Sequence, residues 1–306
     1  MSDTEFSQIE ELSPILDYFS LGLPTNVRYI DKFANKDYFC ITEKGQFFIK
    51  IFQERQSLDT RLSEVDYVEH LSRQNLPVPA FVQAPNGSLI FHNGEITAMV
   101  QEGIAGSTPE ITVGNTRQIG KIMGRFHKVP PKKLHQRYGW FSPDYIKDKI
   151  SKLGTDFSDD PIAQKIISVY KSFNDFRSNI LPRLPTGIIH SDIRPSNTIF
   201  DENKLVAVVD WEDAIIAPLL LDFSIAVGYW CFKNGKIDPE LYKALFDSYS
   251  KERTFTEIEI KHLADCIRYV GVAETAERYV LWGKDEGYDA LWALGLINLG
   301  DLDLKI

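Results

Sequence analysis

The stretch from Gly187 to Asp213, GIIHSDIRPSNTIFDENKLVAVVDWED, constrains the fold more than any other part of the chain. An apolar run ends in His190-Ser191-Asp192, Asn197 stands five residues beyond that aspartate, and a second apolar run ends in Asp210. Pro195 lacks the N–H that a ladder needs and cannot continue a regular strand, so Asp192 is expected on a loop. Thr198–Phe200 and Leu205–Val209 read as short strands about Glu202-Asn203, which brings Asn197 and Asp210 to neighbouring strand ends. One carboxylate, one amide and a second carboxylate then converge on one spot. Taken singly, Asp192 and Asn197 also read as turn formers and Asp210 as a helix cap. The spacing of the three is what asks for a chemical explanation.

Phosphoryl transfer from ATP requires these groups. One carboxylate orients the attacking hydroxyl and accepts its proton, while Mg²⁺ takes hard oxygen ligands such as a carboxylate and an amide carbonyl. Asp192, Asn197 and Asp210 fit these roles in that order. The formal net charge of −9 over 306 residues argues against a nucleic-acid partner, whose binding rests on Lys and Arg neutralising phosphates. Cys40, Cys231 and Cys266 have no metal-ligand spacing, and three thiols cannot all pair within one chain, which favours a reduced, intracellular setting. The acidic MSDTEFSQIE terminus does not read as a signal peptide, and no apolar run reaches membrane-spanning length. The expectation is a cytoplasmic protein that engages no membrane.

Along the chain, the first hundred residues read as strands broken by turns, with one helix among them. YFCITEKGQFFIKIF is a hairpin about Glu43-Lys44-Gly45, LSEVDYVEHLSRQ a helix from Leu62 to Gln74, and SLIFHNGEITAMVQE a hairpin about Asn93-Gly94. Thr116–His127 is helical, with Ile119, Ile122, Met123 and Phe126 on one face; Pro161–Leu181 reads as a second long helix, and the chain is helical again from Leu241. This is an α+β layout: a small β-rich lobe over residues 1–101 and a larger helical lobe over 102–306, divided near Gln101–Gly106.

HSDIRPSN resembles the H-G-D-x-x-x-x-N catalytic loop of the aminoglycoside phosphotransferase and choline kinase family, and VVDWEDA resembles its metal-binding segment. LLLDFSIAV, from Leu219 to Val227, resembles a later helix start of that family, whose aspartate, Asp222 here, would fix the catalytic loop. The resemblance implies a two-lobe protein-kinase-like fold, with ATP and Mg²⁺ as cofactors and a small-molecule hydroxyl compound as acceptor. It assigns Lys50 to the α- and β-phosphates, Glu64 (or Glu69) as the partner of that lysine at the start of the following helix, and Val100, Gln101 and Glu102 as a hinge whose backbone reads the adenine edge. Asn35, with Tyr38, would cover the nucleotide. Two departures stand out: Ser191 replaces the usual loop glycine, and Ile30–Lys36 contains no glycine.

The order of segments is most similar to the homoserine kinase-like branch, on NKDYFCITEKGQFFIKIF, HLSRQNLPVPAFV, IGKIMGRFHKV, AVGYWCFKNGKID and SYSKERTFTEIEIKHLADCIRYVGVAETAERY. A third departure is DWEDAIIAPLLLD, which lacks the aromatic-rich stretch usual in that branch after the metal aspartate. Homoserine is therefore the first-choice acceptor, with choline-, methylthioribose- and aminoglycoside-type acceptors as alternatives. Trp211, Glu212, Tyr229, Trp230 and Arg268 are candidates to line the acceptor pocket, although a Tyr-Trp-Cys-Phe run is also what a buried helix turn looks like. A nucleotide-binding regulator without turnover stays open as a different class. A protein kinase is disfavoured, because no Ala-Pro-Glu follows Asp210.

Overall fold

The computed structural model describes residues 3–31, 35–52, 58–131, 143–234 and 236–282. These residues fall into two compact units. The first runs to Ser107 and includes Val206–Val209; the second takes up the other described residues from Thr108 on.

The first unit is an antiparallel sheet of β1 (Pro24–Asp31), β2 (Asn35–Thr42), β3 (Gly45–Phe52), β4 (Ile90–His92) and β5 (Thr97–Glu102), in the order β1-β2-β3-β5-β4. Both predicted hairpins form. The first closes through Glu43-Lys44, with Thr42 opposite Gly45. In the second, Asn93 Oδ1 accepts from the N–H groups of Glu95 and Ile96 while Gly94 takes a φ of +94°, which a side chain would resist.

Two helices join this sheet, where the sequence suggested one. α2 (Leu58–Ser72) starts four residues earlier than expected, so Glu64 lies in its second turn and does not open it. α1 (Asp3–Tyr18) was not anticipated. Its acidic beginning and internal Pro14 obscure a face of Leu12, Ile15 and Leu16, which packs with Phe19 onto Cys40, Phe47, Ile49 and Val100 of the sheet. Burying such side chains stabilises by about 1.5–3 kcal/mol each, enough to override the proline.

The second unit is mostly helical. α3 (Val113–Phe126) begins at Thr112, whose hydroxyl accepts from Asn115 N–H, and it buries the predicted Ile119, Ile122, Met123 and Phe126. It packs closely on α7 (Pro239–Glu252) because Gly120 and Gly124 face it. A Cβ on Gly120 would lie 2.3 Å from the Leu245 carbonyl oxygen, and one on Gly124 2.9 Å from that of Tyr249. α4 (Pro143–Asp156) was not anticipated. The expected long helix from Pro161 ends early: α5 stops at Ser172, a π-turn spans Phe176–Ile180, and Pro182 sits in a 3₁₀ turn that no α-helix interior would accommodate.

Short strands carry the loops between these helices. β6 (Thr186–Ile189) pairs with β9 (Ile215–Pro218), and β7 (Thr198–Asp201) pairs with β8 (Lys204–Val208). α6 (Leu219–Cys231) is buried along almost its whole length and lies against α9 (Leu263–Trp282). Between them run the small β10 (Phe232–Lys233) and β11 (Lys236–Ile237) ladder, α7, and α8 (Glu257–Lys261).

Candidate active site

β6 delivers the chain to His190-Ser191-Asp192, and the first turn of α6 holds the bend. Asp222 Oδ1 accepts from Ser191 N–H at 2.9 Å, and its Oδ2 accepts from His190 N–H at 3.1 Å. Ser191 takes a φ of +70°, a region that favours glycine, and this explains the residue expected there from the resemblance. The two N–H groups bound to a buried carboxylate hold the serine in that conformation.

Asp222 is anchored in turn. His127, just past α3, meets Asp222 Oδ2 through Nε2 at 3.1 Å, and its Nδ1 lies 2.7 Å from the Tyr249 hydroxyl. Nε2 faces a carboxylate and so donates, leaving Nδ1 to accept from Tyr249. Arg253 donates to the Tyr249 oxygen at 3.1 Å and pairs with both carboxylate oxygens of Glu259, which closes a capping box with Thr256 at the start of α8. The glycines of α3 let α7 come close enough for this chain of contacts. Burial pushes the Asp222 carboxyl upward, but its hydrogen bond and electrostatic interaction with His127 and its interactions with the His190 ring and N–H outweigh it and hold the group below the ordinary aspartate range.

The loop brings Asp192 and Asn197 into direct contact. Asn197 Nδ2 donates to the Asp192 backbone oxygen at 2.9 Å and to Oδ2 at 2.6 Å. Both partners are acceptors, so the amide nitrogen must face them and the amide oxygen is turned elsewhere. Asp192 N–H donates to His190 Nδ1 at 3.2 Å, and Arg194 Nε lies 3.0 Å from Asp192 Oδ2. Burial pushes the Asp192 carboxyl up to about 8; Arg194 opposes this, and the carboxylates of Glu274, Asp210 and Asp213 add to it. Asp210 ends the β8 run at a φ of +68°, a conformation that turns it out of the strand direction.

The donor types here are those magnesium takes. Asn197 carries an amide oxygen, and Asp210 and Asp213 carry carboxylates within electrostatic reach of Asp192. Among the described residues no group of three or more His, Cys, Asp or Glu could hold a metal by itself. A site with few protein oxygens suits Mg²⁺, which usually keeps waters and substrate phosphates as its other ligands.

In the first unit, Lys50 is 2% exposed on β3, opposite Asp37 of β2 and Met99 of β5. Glu64 is equally buried and carries an ion pair from Arg61 at 3.1 Å, while Glu69 pairs with Arg73 near the surface. Asn35 is buried at the start of β2; Lys32, Phe33 and Ala34 of the expected nucleotide-covering turn lie outside the described residues. Tyr38 does not belong to such a turn, because its ring is in the sheet core and its hydroxyl donates to Glu11 of α1.

The hinge also needs a correction. Val100 C=O accepts from Val82 N–H at 2.9 Å, Glu102 N–H donates to Ala80 C=O at 2.9 Å, and Gln101 pairs with Phe48 in the ladder. Backbone groups so engaged are not available to a base edge. The pairing ends with Gly103, whose N–H still donates to the Gln46 carbonyl at 2.7 Å and whose Cβ, if it had one, would come within 2.8 Å of that oxygen.

Of the acceptor-pocket candidates, three are placed otherwise. Trp230 is 0% exposed, and its indole N–H donates to the Ile193 carbonyl at 2.9 Å, so it supports the catalytic loop from behind. Trp211 is buried edge-on between His190 and Phe126. Arg268 lies over the Phe173 ring and lines a cleft with Phe176, His262 and Asp265 that does not include Asp192. Glu212 is half-buried next to Trp211.

Tyr229 is within electrostatic reach of Asp192 and Arg194. Its hydroxyl donates to Glu274 Oε2 at 3.2 Å and accepts from Arg278. Arg194, Asp213 and Glu274 thus act on Asp192, and Arg278 on Tyr229 and Glu274, although the sequence pointed to none of them. What signal there was concerned Glu274 and Arg278: charges four residues apart, inside a helix whose other residues are largely apolar.

The model of the phosphotransferase enzyme family matches residues 27–259, most of the chain, and the chain therefore belongs to that family: it is a small-molecule kinase. It is 22% identical over 283 residues to the homoserine kinase of Pseudomonas aeruginosa, covering 92% of this chain and 89% of the relative. Among solved structures it is similar to the amicoumacin kinase hAmiN in complex with AMP-PNP, Ca²⁺ and Ami, at a TM-score of 0.72 and 16% identity over 96% of this chain and 93% of that one. A microcompartment-associated aminopropanol kinase matches at a TM-score of 0.69 and 14% identity, covering 94% and 95% of the two chains. The fold is thus the α+β, protein-kinase-like fold expected.

Proposed function

We propose that this kinase transfers the γ-phosphoryl group of ATP to the side-chain hydroxyl of homoserine. The observation that carries the reading is the bend at Ser191: two N–H groups bound to Asp222 orient a loop on which Asp192 is held by Asn197, with Asp210 in electrostatic reach. The likeness to a homoserine kinase along 92% of the chain supports the choice of acceptor.

In this reading Asp192 accepts a hydrogen bond from the acceptor hydroxyl, aligns its oxygen with the γ-phosphorus and takes the proton as the new P–O bond forms. The bond to the β-bridging oxygen breaks, and ADP leaves. Asn197 and Asp210 would hold Mg²⁺, which when bound offsets charge on the phosphate oxygens. Arg194 steadies the Asp192 carboxylate until the acceptor arrives. Residues 1–101 clamp the nucleotide: Lys50 serves the α- and β-phosphates, Glu64 orients it, and Asn35 borders the covering turn. The base edge is read by the backbone just past β5, at the Glu102 carbonyl and at Ile104. Residues 102–306 carry the catalytic loop and the acceptor pocket.

The test is an ADP-release assay with purified enzyme, ATP and Mg²⁺ against homoserine, choline, methylthioribose and a kanamycin-type aminocyclitol. Homoserine should give the highest kcat/KM. Another acceptor ranking first would overturn the choice of substrate and leave the kinase standing. Mg²⁺-dependent ATP binding without ADP release for any acceptor would favour the regulator.

A further inference from the structure

The residues around Tyr229 carry more than the mechanism uses. Arg278 Nε donates to Glu274 Oε2 at 2.9 Å one helical turn away on α9, and Arg278 also donates to the Tyr229 hydroxyl, which in turn donates to the same Glu274 oxygen. The Glu274 side chain is 5% exposed and that of Arg278 18%. A buried ion pair is expensive to desolvate, and apolar residues of similar size would often join two helices as well or better.

Its location gives the pair another use. Trp230, the next residue after Tyr229, bonds to Ile193 beside Asp192, and this brings the end of α6 against the catalytic loop. Glu274 and Asp192 are close enough for their charges to interact, as are Tyr229 and Asp192. A negative group, a positive group and a phenol therefore stand together where α9 meets the end of α6, the same end that Trp230 ties to the residue beside Asp192.

We infer that Glu274 and Arg278, bridged by Tyr229, form the subsite for a zwitterionic acceptor: Glu274 takes the α-ammonium and Arg278 the α-carboxylate of an amino acid whose hydroxyl faces Asp192. This rests on the kinase reading above and specifies what the enzyme recognises in its acceptor. In the absence of acceptor the two residues satisfy each other; a zwitterion replaces that pairing with two matched ones. Guanidinium suits a carboxylate because its planar fork can donate two parallel hydrogen bonds. A neutral sugar or a simple quaternary amine would leave at least one of the two buried charges unmatched.

Three acceptors separate the contributions: homoserine carries both charges, 3-aminopropan-1-ol lacks the carboxylate, and 4-hydroxybutyrate lacks the ammonium. Wild type should prefer homoserine to each analogue by at least about tenfold in kcat/KM, as expected for charge-assisted hydrogen bonds. Arg278→Gln should raise the KM for homoserine about 10- to 100-fold, with the KM for ATP unchanged and 3-aminopropan-1-ol little affected. Glu274→Gln should do the same for homoserine while sparing 4-hydroxybutyrate. Tyr229→Phe, which removes one oxygen, should give a smaller shift in the same direction.

A staple that only joins α6 to α9 would lower the melting temperature and leave the preference among the three acceptors where it was; that result overturns the inference. Equal use of all three by wild type overturns it without any variant. Wild type that phosphorylates sugars but no amino alcohol contradicts the subsite and the choice of homoserine while the kinase stands, whereas wild type that releases no ADP with any acceptor removes the kinase reading and this one with it.

Discussion

The sheet of the first unit and the catalytic loop of the second are both well buried, yet different forces hold them. In the sheet, α1 lays Leu12, Ile15 and Leu16 against strand residues such as Cys40, Ile49 and Val100. Such contacts are non-directional, and each loss is roughly local. At the loop, two backbone N–H groups, His127 and α6 all depend on one carboxylate, Asp222. Such a junction fixes geometry, and losing it strands several polar groups at once. The base role proposed for Asp192 needs placement to within a fraction of an ångström, which directional bonds supply better than apolar packing.

The sharpest way to break this contrast is Asp222→Ala. It should cost about 3–5 kcal/mol, the range for removing one partner of a buried pair, and the folded fraction should also lose turnover. Urea unfolding with kcat on the same sample checks both; a loss of stability with normal kcat would mean that the loop holds itself. Next comes Gly120→Ala, whose added Cβ meets the Leu245 carbonyl oxygen at 2.3 Å. Separating α3 from α7 should cost about 1–3 kcal/mol and weaken the contact between His127 and Tyr249. Thermal unfolding at wild-type values would show that the helices can part freely.

Trp230→Phe keeps most of the apolar volume and deletes the bond to Ile193. A loss of about 1 kcal/mol is expected, along with reduced kcat, because the lost bond supports the catalytic loop. Tyr38→Phe deletes the bond to Glu11 in the sheet unit and should cost about 1 kcal/mol with kcat unchanged. The two variants together set directional support at the loop against directional support elsewhere. Equal effects on kcat would erase the distinction.

The smallest effect is one of pH. The Asp222 carboxyl is held below its ordinary value, so its contribution is fully present above the unfolded value of about 4 and is lost as pH falls through the lower folded value. The stability gap between wild type and Asp222→Asn should therefore shrink below about pH 4. A gap constant from pH 6 to pH 3 would contradict the depressed value.

The catalytic loop was legible in the sequence because its residues lie within one short segment, where spacing and Pro195 nearly dictate the geometry. Asp222 was legible through the resemblance of LLLDFSIAV to a helix start of the family. Faces and distant partners were not. Tyr229 and Trp230 are adjacent, but successive helix positions point about 100° apart, so Tyr229 turns toward Glu274 and Trp230 toward Ile193. α1 was hidden by Pro14, which propensity counts against a helix and tertiary burial overrules. The spacing of Glu274 and Arg278 marks a pair of charges, but that they meet Tyr229 follows from the packing of α9 on α6, which no local pattern encodes.

The central claim is that Asp192 orients and deprotonates the acceptor on a loop built to hold it. Asp192→Asn preserves size and turn-forming ability but cannot accept the proton. Measured on one preparation, kcat should fall by about two to four powers of ten, while ATP affinity and melting temperature stay near wild type. A folded Asp192→Asn enzyme with wild-type kcat would contradict the account.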